Sequence, residues 1–152
     1  MLRGEDGRAQ DYLDLDRDSD VSQAVSMDVL LHEAKVEEAI RRAEANLPGW
    51  GAYDVLLASL KHRPPAEIAA LARHAKPAND PEMNFFAAGH LAYAGQVDAA
   101  LSMLKRAIDG GYCSFPAIDT DPFFEVLRAR RKLGPLRLAA QECQNEFLRE
   151  RQ

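Results

Sequence analysis

Four histidines, two cysteines, an alternating run of aspartates and a short arginine cluster are the residues of this chain whose chemistry reaches beyond packing. Histidines bind a metal from one helix when paired three or four residues apart beside carboxylates, and no two of His32, His62, His74 and His90 are so spaced. They read as surface or hairpin-packing residues. Cys113 and Cys143 are too few for a disulfide framework and too widely separated for a thiolate metal site, so both read as small core or surface residues. From Asp14 to Asp20 the run DLDRDSD places carboxylates at alternate positions, like half of a calcium loop. Ser19 stands where that loop needs glycine, however, and Val25 where it needs glutamate. A solvated lead-in whose Ser19 or Asp20 caps the first helix fits better. Arg128, Arg130, Arg131 and Lys132 read as the solvated edge of a cap, with the acidic N-terminal tail as one partner. There is no glycine-rich phosphate loop, no G-x-S-x-G elbow and no kinase metal-binding aspartate motif. The expectation is a chain with no catalytic residue, no metal and no cofactor.

The bulk properties narrow the class of molecule. With 152 residues, 47% hydrophobic and 28% charged, one soluble domain with its own core is expected. A formal charge of −5 argues against a general nucleic-acid binder, which needs a basic surface to displace counterions from phosphates. The charge is uneven: residues 1–20 carry seven acids and three bases, residues 128–152 seven bases and three acids. No apolar run approaches the ~20 residues that span a bilayer, and residues 1–10 are polar, which predicts a cytoplasmic protein without membrane contact.

The elements that must position these residues are helices. Around Gly95, the apolar residues Phe85, Phe86, Ala88, Leu91 and Ala92 on one side, and Val97, Ala100, Leu101, Leu104, Ala107 and Ile108 on the other, recur at helical spacing. Gly95 accepts the left-handed backbone that ends a helix, so the two stripes fold into an antiparallel hairpin. The same pattern stands at a constant offset of 61 residues: Leu30 with Leu91, Val36 with Val97, Ala39 with Ala100, Ile40 with Leu101. That offset is nearly twice the ~34 residues of a helix-turn-helix repeat, which calls for a shortened unit between the two. Helices over residues 50–60 and 65–75 supply it, the second starting at Pro64-Pro65 in the turn where no amide hydrogen is needed. The expected organisation is an acidic, loosely held tail (1–20), hairpins over about 21–47, 50–76 and 81–109, and a cap over 115–151. Within the cap, residues 112–120 read as an irregular link, Asp121-Pro122 as the start of a brief helix and residues 135–151 as a closing helix.

Gly95, Val97, Ala100, Leu104 and Ala107, with Ala88 and Leu91, also stand at the consensus positions of tetratricopeptide repeats. The resemblance is good over residues 81–114 and degenerate over 15–80. GQVDAALSMLKRAIDGGY followed by FPAIDTDPFFEVLR is similar to the closing repeat and cap of the tetratricopeptide tails of bacterial multidomain signalling proteins, such as Ser/Thr kinases and winged-helix or cyclase regulators. In such tails a second Asp-Pro pair follows the Leu-Arg; here Ala129-Arg130-Arg131-Lys132 stands in its place. The resemblance implies an all-α, right-handed stack of hairpins with a C-terminal capping helix, whose first helices line a groove. By register the groove takes Asp28, Leu31 and His32, then Trp50, Tyr53, Leu57 and Lys61, then Glu82, Phe85, Gly89 and Tyr93. Of these, His32, Trp50, Tyr53, Lys61, Phe85, Gly89 and Tyr93 are the expected partner-binding set. It further implies a non-catalytic module that holds a protein or peptide segment, or alternatively a ligand-sensing domain that controls an attached kinase, cyclase or transcription factor.

Overall fold

A computed structural model describes residues 13–16, 19–46 and 51–149, and among these every regular element is helical. The N-terminal tail, apart from a 3-10 turn at Asp14–Asp16 and the Ser19 cap, lies outside the described residues, as do Pro48-Gly49 and Trp50. Helix α1 (Asp20–His32) starts where Ser19 accepts a hydrogen bond from the Ser22 amide at 3.1 Å. Helix α2 (Val36–Asn46) returns against it. Helices α3 (Ala52–Leu60) and α4 (Pro65–His74) form the second hairpin, with Pro65 in the first turn of α4 as expected. Helices α5 (Pro81–Tyr93) and α6 (Val97–Asp109) form the third, with Asp80 capping α5 through the Glu82 amide at 2.9 Å.

All three hairpins turn the same way at the residue level. After α1, α3 and α5 the chain passes through a left-handed residue, Ala34 (φ 59°), His62 (φ 53°) and Gly95 (φ 75°). Each turn closes with the same two backbone bonds: Ala34 to Leu31 and Lys35 to Leu30; His62 to Ser59 and Arg63 to Ala58; Gly95 to Ala92 and Gln96 to Leu91. This is the Schellman termination, which satisfies the last carbonyls of a helix. Gly111 (φ 89°) ends α6 in the same manner, with bonds to Ile108 and from Tyr112 to Ala107.

Two apolar cores meet at α3. One face of α3, Tyr53, Leu56 and Leu60, packs with Ala24, Met27, Leu30 and Leu31 of α1 and Ala39 and Ala43 of α2. The other, Ala52, Val55 and Ala58, joins α4, α5, α6 and the C-terminal elements. A helix apolar on all sides is one enclosed between neighbours.

The C-terminal region departs from its reading in three respects. Residues 112–120 do not stay irregular: α7 (Phe115–Thr120) forms there, because burying Ala117 and the fully enclosed Ile118 rewards a helical turn. The brief helix after Asp121-Pro122 opens as a 3-10 turn (Pro122–Phe124) before α8 (Glu125–Arg128), and the closing helix α9 (Leu133–Arg149) begins two residues before Pro135. The cysteines are not independent. As α9 runs back over α6 and α7, it brings Cys143 to Cys113 with Cα atoms 5.6 Å apart, and the two form a disulfide across 30 residues of chain.

Candidate functional site

Asp28 sits on α1 between Met27 and Val29, which are both fully enclosed, and is itself 3% exposed. A carboxylate there needs partners, since burial without them costs several kcal/mol. It finds them on two other hairpins. His90 of α5 donates from Nε2 to Oδ1 at 2.9 Å, and the Tyr53 hydroxyl of α3 donates to Oδ2 at a long 3.5 Å. The Tyr53 and His90 rings lie 4.1 Å apart, and burial, followed by the nearby Asp28 charge, pushes the Tyr53 phenol well above its usual range. Asp28 therefore ties together the first helices of all three hairpins. Among the described residues Nδ1 of His90 is buried with no hydrogen-bond partner.

One turn further along α1, His32 joins the C-terminal turn to this cluster. Its Nδ1 donates to the Asp28 carbonyl at 2.7 Å and its Nε2 to Asp121 Oδ1 at 3.1 Å. The Asp121 bond raises the His32 pKa above 6.5, against the opposing effect of burial. Burial also opposes ionisation of Asp121, yet the bonds from His32 and from the Phe123 amide hold its carboxyl below the usual range. Asp121 thus caps the turn and anchors His32 at once. Phe123 follows it into the core shared by α1, α2 and α3, its ring 4.7 Å from His32, 5.7 Å from His90 and 5.4 Å from Tyr93, while Phe124 enters the other core against Phe85 at 5.1 Å. The turn packs directly on Gly89, where a β-carbon would stand 3.4 Å from Phe123 and 3.6 Å from Phe124, in van der Waals contact with both.

Beside this turn lies a cavity of about 520 Å³, between α1, α5 and α7. Phe85, Phe86, Tyr112 and Phe123 wall it, Glu82 and Asp121 bring carboxylates to it, and Asp28 lines it with its carboxylate held by His90 and Tyr53. The Tyr112 hydroxyl donates to Glu82 at 3.3 Å, and burial together with the Glu82 charge raises its pKa. A second cavity of about 350 Å³ lies on the other side of α5 and includes Tyr53, Asn84 and His90.

Of the expected partner-binding residues, His32, Phe85 and Gly89 come together on the larger cavity. Phe85 and Tyr53 are buried, Tyr53 on the smaller cavity. Tyr93 stays 40% exposed at the edge of Phe123. Lys61 is exposed, pairs with Glu44 of α2 and lines neither cavity. Trp50 lies outside the described residues. Sequence reasoning missed Asp121, Phe123 and Tyr112 as site residues, having read Asp121 only as a helix start. The pairing of Asp28 with His90 was also missed, although an acid flanked by Met27 and Val29 on a helix was the available signal. The basic cluster is dispersed: Arg128 binds the backbone carbonyls of Ile118 and Asp121, and Lys132 pairs with Asp98 at 2.8 Å, holding that exposed carboxyl low. No group of three His, Cys, Asp or Glu residues is arranged for a metal among the described residues.

No protein-family model, curated protein or solved structure matches the chain.

Proposed function

We propose that this chain is a non-catalytic protein–protein interaction module, a right-handed tetratricopeptide-like stack whose first helices α1, α3 and α5 form the binding side. In this reading it serves a bacterial signalling or regulatory system in the cytoplasm. The observation that carries the reading is the repetition itself: three helical hairpins closed by the same left-handed turn, with their first helices joined through Asp28, Tyr53 and His90. Such stacking presents a continuous surface made of equivalent helix faces, which suits an extended or helical segment of a partner. A ligand-sensing regulatory domain is the second reading, favoured by the 520 Å³ of the larger cavity, a size typical of small-molecule sites.

The two surfaces of the third hairpin provide the test. A photo-reactive phenylalanine analogue at Tyr93, on the proposed binding side, should capture a defined protein from cells of the source organism. The same analogue at the exposed Lys105 of α6 should not. Equal capture at both positions, or at Lys105 alone, would count against the groove.

A further inference from the structure

We propose that the cavity between α1, α5 and the Pro122–Phe124 turn receives the guanidinium group of an arginine side chain carried by the partner segment. The inference rests on the interaction-module reading and adds the chemistry of the partner.

The lining selects for a cation in two ways. Glu82 and Asp121 bring carboxylates to the cavity from two separate elements, Asp28 lines it with its own carboxylate committed to His90 and Tyr53, and the lining includes no lysine or arginine. Its one basic residue, His32, is already engaged by Asp121. Arg128, the nearest guanidinium in sequence, is spent on backbone carbonyls and leaves the Asp121 carboxylate to His32. The walls are Phe85, Phe86, Tyr112 and Phe123, whose ring faces carry partial negative charge and attract cations. The Asp121 bond that raises the His32 pKa, and the Glu82 charge that adds to burial in raising that of Tyr112, agree with a negative local potential.

Other occupants fare worse. An apolar side chain would strip water from Glu82 and Asp121 without replacing the lost hydrogen bonds, and an acidic one would be repelled. Between the two long cations, arginine fits the combination of flat aromatic walls and separate carboxylates, because its planar group stacks and forks its donors. Lysine offers a compact point charge that does neither.

The test uses the full chain and the peptide Ac-Ala-Ala-Arg-Ala-Ala-NH2, with amide resonances followed by NMR. Saturable shifts are expected at Gly89, Tyr112 and Phe123. Replacing the peptide's arginine by glutamine should weaken binding about tenfold, and Glu82→Gln in the protein about fivefold. Glu82 is exposed, so that variant keeps its fold, and an unchanged melting midpoint verifies this. Equal binding of the glutamine peptide at the same resonances overturns the cation while leaving the interaction surface intact. Failure of the arginine peptide to shift these residues overturns the inference, and the cross-link at position 93 then decides the module reading separately. Free arginine binding as tightly as the peptide overturns the partner segment as the source and makes the cavity a metabolite site.

Discussion

A side chain at positive φ brings its β-carbon against the backbone, at a cost of roughly 1–2 kcal/mol that glycine avoids. The turn after α5 avoids it with Gly95, whereas the equivalent turns carry Ala34 and His62. Ala34→Gly is therefore expected to raise the unfolding free energy measured in urea by up to about 1 kcal/mol, the relief of strain being partly offset by the freer unfolded chain. Gly95→Val should lower it by more than about 1 kcal/mol; nothing lies within 4 Å of a β-carbon there, so the loss is backbone strain and not collision. His32 and Asp121 make a pH prediction at the same scale. The His32 pKa is raised on folding, so its stabilisation is complete below about pH 6.5 and fades as pH rises through the folded value. The Asp121 pKa is lowered, so its stabilisation is present above about pH 3.8 and lost as pH falls through the folded value. The pair strengthens the fold most between those limits. Stability measured from pH 5 to 9 should decline for the native chain, and Asp121→Asn should flatten that decline.

At the scale of elements, the helices and their ends were legible because their signals are local. Ser19, Pro65, Asp80 and Gly95 each act within one turn of where they stand, and each marks the boundary its chemistry demands. The link at 112–120 was not legible, because six residues with Pro116 and no side-chain cap carry no helical signal of their own; the buried Ile118 holds α7 in place. The disulfide was hidden for the same reason, since only the reversal before α9 brings Cys143 to Cys113. Closing a loop of this length removes unfolded-state entropy worth about 3.6 kcal/mol. Under oxidising conditions Cys143→Ser should lower stability by about that amount, measured by denaturant unfolding. Under reducing conditions the variant and the native chain should converge, and thiol titration of the unreduced native chain should find neither sulfur.

Across the whole molecule, Asp28 is the residue on which three hairpins depend. Asp28→Ala would leave His90 and Tyr53 buried beside a gap, and is expected to cost about 3 kcal/mol or more in urea unfolding. A loss under about 1 kcal/mol would show that the hairpins hold together without it. The sequence alone determined that this chain is helical, where most helices begin and end, and that a motif recurs across 61 residues, because capping chemistry and apolar spacing are written along the chain. Only the tertiary structure decided that Asp28 meets His90 across 62 positions, that Phe123 folds onto Gly89, and that the carboxylates of Glu82 and Asp121 share one cavity. Those contacts join residues whose separation bears no relation to a helical period, and they exist only once the packed elements have set the distances between them.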